Sequence, residues 1–412
     1  MLDKDRHAER HAERHAERLT FRLDTIRAST DGVAESLVQT VLLLIAVRYF
    51  ATADWQRSLI AMSRYLGFMC SIFYIALAAR FRYRIATLAA IPTLTSGLIF
   101  IAAARAGSPL LYTILSALAV MIIAIRQPFF TRIYEENYPQ DRRARKYSVG
   151  VIVSVIFALA SNFLFGRLLD DDLTLFRPIL FGAGLGIIGG GVLLFFIPST
   201  PTGERTYTNP LKNLSLLIKF PVFGYILITW FILGFANLWT APLRVVYLAD
   251  PVRGLNLSPF MVLLINGIIP SITRLAMTRV WASAFDRFQF IFVRFALSIF
   301  ITVGVLLFFL TDNVILIGIS SILSWIGLAG ATIVSTLWVI KFAPAGMSQV
   351  FISIHFFLIG VRGIIGPPIG FFAAAHLPLR TLGIISFLLG CVSLLMLIPI
   401  IRKPLGSTSW RQ

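Results

Sequence analysis

Charge is what this sequence has least of. Asp, Glu, Lys and Arg together supply 14% of its 412 residues, against about 25% in an ordinary soluble domain. A soluble fold of this length cannot cover its surface with so few charges, which excludes a soluble enzyme. Cysteine is almost missing. Cys70 and Cys391 both sit inside apolar runs, so a disulfide-stapled secreted domain is excluded too. There is no Gly-x-x-x-x-Gly-Lys phosphate loop, so ATP is not expected to drive the protein directly. Neither His-Glu-x-x-His nor Cys-x-x-Cys occurs, and no metal or cofactor is expected. The first thirty residues are polar and charged, with no apolar core of a cleavable signal.

What remains is apolar. Hydrophobic residues make up 57% of the chain, and mean hydropathy is +0.83. A spanning helix needs about 20 apolar residues. Twelve such runs are visible, near 31–52, 56–79, 85–105, 109–132, 148–169, 177–198, 220–245, 257–282, 290–311, 313–341, 347–373 and 379–401. The expected architecture is an all-α, multi-pass membrane protein. Its divisions are a low-complexity tail (1–30), a six-helix bundle (31–199), a polar linker (200–219), a second six-helix bundle (220–402) and a short tail (403–412).

The net charge of +18 would suggest nucleic acid on a soluble protein, but the positions point to a membrane. Basic clusters such as Arg80-Phe81-Arg82-Tyr83-Arg84 and Arg142-Arg143-Ala144-Arg145-Lys146 alternate with poorer segments such as Asp170-Asp171-Asp172 and Thr311-Asp312-Asn313. Arg105 and Arg253 are lone exceptions on the poorer side. This alternation predicts that both termini and the linker are cytoplasmic. No nucleic-acid partner is expected. The tetrapeptide His-Ala-Glu-Arg occurs three times from His7 to Arg18. A solvated, partly helical tail accounts for it, although His at i and i+4 could share a cation.

Six spans, a linker and six more suggest an internal duplication. Pro139 precedes Gly166 by 27 residues, and Pro344 precedes Gly370 by 26, at equivalent places in the two halves. Three local motifs add to this. Ala282 to Phe288 contains Asp286-Arg287 between spans 8 and 9. Asn137-Tyr138-Pro139 leads to Arg142, Arg143 and Arg145, and then to Gly166-Arg167-Leu168-Leu169-Asp170. His355 to Gly363 is followed by Pro367, Pro368 and Gly370. On these residues the chain resembles the major facilitator superfamily, and an uncharacterised bacterial branch of it, over about residues 31–402. Asp286 and Arg287 resemble that superfamily's gating loop, with Ala282 in place of its first glycine. The loop between spans 2 and 3 keeps the cations and lacks the acid. The resemblance implies two bundles rocking about a central site, a multi-pass protein of the bacterial inner membrane, and gating roles for Asp286, Arg287, Arg142 and Arg143.

An ionised group at a helix centre costs roughly 2.5–3.5 kcal/mol on insertion scales, so it should face a cavity or a partner. Arg64, Arg126, Arg274 and Arg362 lie well inside runs, whereas Arg48 and Arg244 can snorkel. Only Asp31 and Glu35 enter a span among the acids, and the second half has none inside a span. Arg126 and Glu35 fall at similar depths. The resemblance implies that such a span 1 acid, paired with a span 4 arginine, takes up the coupling proton. Asp31, one turn nearer the cytoplasm, is expected at a solvated helix start and is the second coupling candidate. His355 and Arg362 share a helical face, being seven residues apart. Gly360, Gly363, Gly366, Pro367 and Pro368 predict a broken helix there. Arg362, Arg126, Arg64, His355, Asn237 and Asn266 are the candidate solute contacts, with His355 also a proton carrier. The expected function is secondary transport of a small, anionic organic solute by a monomer in the bilayer, with protons as a coupling partner. The alternatives are a lipid flippase and a non-transporting membrane sensor or assembly factor.

Overall fold

The computed structural model describes residues 2–201, 212–342 and 348–401. Among them twelve helices are long and apolar enough to cross a membrane, the number expected from the sequence. They are spans 1 to 12 in order: Arg14–Arg48, Asp54–Ile75, Ile85–Ala104, Pro109–Asn137, Gln140–Asp171, Leu173–Phe195, Pro221–Ala249, Pro259–Arg287, Phe290–Leu310, Val314–Thr332, Val350–His376 and Leu379–Ile401. Lipid offers backbone groups no partner, so long apolar runs close their hydrogen bonds within a helix.

The spans fall into two compact units. Unit 1 contains Met1–Thr52 and Ser63–Thr206, and unit 2 contains Ala53–Met62 and Tyr207–Gln412. The main division lies within the linker expected at 200–219. Two boundaries differ from expectation. The first concerns the tail. Leu2–Ser36 is a single helix of 35 residues, and Thr20, Asp24, Arg27 and Ala28 on it are buried. Their spacing of three to four residues forms one face, which packs on span 5. Lys146 of span 5 pairs with Glu17 at 2.8 Å. Residues 20–30 are thus part of unit 1 rather than a solvated tail. The second concerns span 2, whose start belongs to unit 2. Its Arg57 pairs with Asp250 at 3.0 Å, and Arg253 holds both oxygens of Asp54 at 2.6 and 2.8 Å. Arg253, an exception to the charge pattern, therefore has its counter-charge in Asp54.

Within unit 1, spans 3 and 6 cross at bare backbone. A Cβ on Gly97 would lie 2.7 Å from the Gly184 carbonyl, and one on Gly184 would lie 2.7 Å from the Gly97 carbonyl. Close approach of small residues replaces the hydrophobic driving force that lipid removes.

Spans 1, 4, 7 and 8 are interrupted along their length. Span 4 is two helices, Pro109–Ile125 and Gln127–Asn137, joined at Arg126. Pro128 cannot donate to the Ala124 carbonyl, and its ring disturbs the preceding turn. Span 7 divides at Trp239 and Thr240 into Pro221–Leu238 and Ala241–Ala249, with Pro242 behind the joint. The Thr240 hydroxyl donates to the carbonyls of Ala236 and Asn237 there. Span 1 carries a π turn at Leu37–Val41 and span 8 one at Leu264–Ile268. Span 11, by contrast, is not broken. Ser348–His376 runs through Pro367 and Pro368 as one helix. The carbonyls that these prolines cannot serve as donors belong to Gly363 and Ile364. Gly370 then rests directly on span 7, where a Cβ would collide with the Trp239 carbonyl.

Candidate functional site

Unit 1 gathers its interior charges around span 1. Because that helix starts far upstream of its apolar run, Asp31 lies about 25 Å along span 1 at 1.5 Å per residue. The joint in span 4 turns Arg126 toward it. Arg126 is 3% exposed. Its Nη2 donates to Asp31 Oδ1, and its Nη1 donates to Thr93 Oγ1 at 3.1 Å. Arg27 Nη1 donates to the other oxygen, Asp31 Oδ2. Arg27 also donates to Asp24 Oδ1 from Nη2 at 2.7 Å and from Nε at 3.0 Å. The Tyr134 hydroxyl donates to the same oxygen at 3.2 Å. Both guanidinium groups lie over the Phe130 ring, with Cζ at 4.0 Å for Arg27 and 5.3 Å for Arg126. Two cations and two carboxylates make a neutral, closely bonded cluster, with Asp31 shared between the arginines.

The expected pairing of Arg126 with Glu35 is therefore corrected to Asp31. The physical reason is the helix start: span 1 begins well before its apolar run, so Asp31 lies inside the helix rather than in a solvated first turn. Glu35, one turn on, accepts from Gln39 Nε2 at 2.8 Å, and Gln39 lies in the π turn of span 1.

In unit 2, spans 7, 9 and 11 carry arginines inside their length and no acid. Arg362 of span 11 lies against span 7, where its Nη1 donates to the Trp230 carbonyl. Gly234 makes the room, since a Cβ there would collide with Arg362 Nη1. Arg362 is thus seated on a carbonyl of span 7. Against the ring of Trp230 lies Arg294 of span 9, which sequence reasoning missed. It is fully buried, with its Cζ 3.8 Å from the Trp230 ring centroid. Its Nη1 donates to Ser298 Oγ and its Nη2 to the Thr229 carbonyl at 3.4 Å. Its Nε has no hydrogen-bond partner among the described residues. His355 is 1% exposed and stands between the indoles of Trp230 and Trp338, with ring centroids 6.0 and 5.8 Å away. Neither of its ring nitrogens has a hydrogen-bond partner among the described residues.

The remaining candidates scatter. Asn237 accepts from Arg244 Nη2 at 3.2 Å, and Arg244 is buried rather than snorkelling. Asn266 lies in the π turn of span 8, next to Ile265, whose carbonyl accepts from Ser321 at 2.7 Å. Arg64 and Arg274 are half-buried, and neither belongs to the two clusters. Of the gating candidates, Asp286 and Arg287 are exposed at the end of span 8. Arg142 is exposed and pairs with its neighbour Asp141 at 3.3 Å. Arg143 donates to the carbonyls of Glu135 and Tyr138 at 3.1 and 3.2 Å, closing the end of span 4. No group of three or more His, Cys, Asp or Glu able to hold a metal occurs among the described residues.

No known family profile matches the chain, and no curated protein matches it. Solved structures do. The nucleoside transporter NupG superposes with a TM-score of 0.74 at 12% identity, covering 94% of this chain and 100% of that one. The D-xylose–proton symporter gives 0.69 at 13%, covering 93% and 97%. A bacterial homologue of the human lysosomal transporter Spinster, in an inward-facing and occupied conformation, gives 0.67 at 13%, covering 95% and 97%. The chain has the fold of the major facilitator transporters.

Proposed function

We propose that the protein is a secondary transporter that moves a small anionic organic solute across the inner membrane by alternating access, with a proton as coupling ion. The observation that carries this reading is the burial of ionised groups in both units of a lipid-embedded chain. Such groups cost several kcal/mol unless their charge is used or compensated. The solved transporters of the same fold support it. They carry nucleosides and xylose, the latter with protons according to its name.

Each unit takes one task. In unit 1 the carboxylate of Asp31 is the proton acceptor. Held by Arg27 and Arg126, it stays ionised. When either guanidinium withdraws, burial favours the protonated form. In unit 2 the interior is cationic, because spans 7 to 12 contain no acid except Asp286 at the exposed end of span 8. Arg binds carboxylate or phosphate with paired donors, so this interior favours an anion.

Uptake into proteoliposomes across a panel of anionic and neutral metabolites, with and without a pH gradient, tests the reading. Asp31→Asn is expected to abolish concentration against a gradient while sparing exchange, and Glu35→Gln to retain both. Accumulation of a neutral solute independent of pH would refute it.

A further inference from the structure

The ionic cluster of unit 1 is uneven. Asp31 is shared by Arg27 and Arg126, one guanidinium on each oxygen. Arg27 has a second carboxylate of its own. Its Nη2 and Nε donate to Asp24 Oδ1 at 2.7 and 3.0 Å, and the Tyr134 hydroxyl donates to that oxygen at 3.2 Å. Arg126 has no second acid among the described residues. Beyond Asp31 it donates to the neutral Thr93 hydroxyl, at 3.1 Å, and its Nε has no hydrogen-bond partner there. Arg27 also lies closer to the Phe130 ring, at 4.0 Å against 5.3 Å for Arg126. Both arginine side chains are equally shielded, at 4% exposed, whereas that of Asp31 is 25% exposed and gives a proton its way in. The neighbouring ionisable groups have their own contacts. Glu35 accepts from Gln39, and Lys146 of span 5 pairs with Glu17. Tyr138 and Tyr147 pack on the Tyr134 ring. Spans 3 and 6 carry no ionisable side chain over residues 85–104 and 178–195.

Resting on the reading that Asp31 takes up the coupling proton, we propose that protonation releases Arg126 and leaves Arg27 in place, with Asp24 as the positioning residue that decides between them. The ionised cluster balances two cations against two carboxylates. One proton on Asp31 leaves two cations and a single carboxylate. The neutral carboxyl group no longer offers an ionised oxygen to each guanidinium, and the like charges over one ring repel. Arg27 keeps a full counter-charge in Asp24. Arg126 keeps only a hydroxyl, and a hydrogen bond to an ionised acceptor is roughly twice as strong as a neutral one. The excess charge therefore falls on Arg126. That residue stands at the joint of span 4, where Pro128 has removed a backbone bond. Proton uptake on span 1 is thereby converted into a displacement at the joint of span 4.

The test treats the full chain in detergent with phenylglyoxal, an arginine-selective dicarbonyl, and locates the modified residues by peptide mass spectrometry. Asp31→Asn stands for the protonated state. Asp31→Leu, equally neutral and of similar size, takes its place if that variant does not fold. Both arginines are expected to resist the reagent in wild type. In the neutral variant Arg126 should react at least about ten-fold faster than Arg27, the ratio that 1.4 kcal/mol sets. Adding Asp24→Asn should bring Arg27 up to the rate of Arg126, while adding Asp24→Glu should keep it protected. A merely structural role would expose Arg27 in both double variants. Faster reaction at Arg27, equal reaction at the two, or resistance of both in the folded neutral variant would overturn the proposal. So would an Arg27 still protected after Asp24→Asn. None of these outcomes depends on the solute. Accumulation driven by a pH gradient in Asp31→Asn proteoliposomes, across the metabolite panel above, would instead bring down the reading of Asp31 as proton acceptor, whatever the labelling shows.

Discussion

At the scale of single residues, two side chains sit where a bond and a notch decide their use. Arg362 occupies space that exists because residue 234 is glycine. Gly234→Ala should leave the fold intact, since only the flexible end of Arg362 must move. That movement detaches the guanidinium from the Trp230 carbonyl. Solute affinity should then change by the worth of a charged hydrogen bond, about 1.5–3 kcal/mol, measured as binding to the purified variant. Unchanged affinity at unchanged melting temperature would mean that the seat of Arg362 is irrelevant to the solute. Arg294 shows why part of this site was hidden. It stands four residues inside the apolar run of span 9, a position from which a cation usually snorkels to the interface. Sequence alone does not say whether such a residue turns outward to lipid headgroups or inward to Trp230.

At the scale of elements, the twelve spans were legible because each needs a long apolar run, and a chain dissolved in water rarely carries one. Arg126 was legible for a similar reason, as a charge deep inside one. The start of span 1 was not, because residues 14–30 are polar. The signal was there in Thr20, Asp24, Arg27 and Asp31, spaced three or four apart along one helix face. Proline cut both ways. Pro128 and Pro242 break their spans, while Pro367 and Pro368 leave span 11 continuous. The joint in span 4 gives a second prediction. Pro128→Ala restores a backbone donor and should straighten the helix, at no loss of stability. Arg126 would then lose its aim on Asp31, and coupled accumulation should fall while the melting temperature holds or rises. Full coupling in a folded Pro128→Ala protein would mean that the joint does not set the pair.

At the scale of the whole molecule, the charge pattern predicts topology. A reporter fused after Asp312 is expected on the outside, and one after Arg205 on the inside; reversal of either would break the arrangement. The ionic cluster at the start of span 2 adds a pH dependence. Desolvation raises the Asp250 carboxyl, but the backbone N–H groups of Val252 and Arg253 and the Arg57 guanidinium outweigh it and hold the pKa below the usual range. A depressed carboxylate contributes stability above its unfolded value, near 4, and loses it as pH falls through the folded value. Melting temperature in detergent should therefore drop below about pH 4, and Asp250→Asn should lower it at pH 7 and blunt that acid drop. The cost at neutral pH is about 1–3 kcal/mol, the penalty of leaving Arg57 short of an acceptor. Because Ala53–Met62 packs with the second unit while Ser63 onward packs with the first, the division by packing does not coincide with a division at the linker. A duplication would have joined two six-helix genes at the linker, but a chimaera cut there would separate Asp54 and Arg57 from Asp250 and Arg253. Exchanging halves with another protein of this fold should succeed only when residues 53–62 travel with the second half.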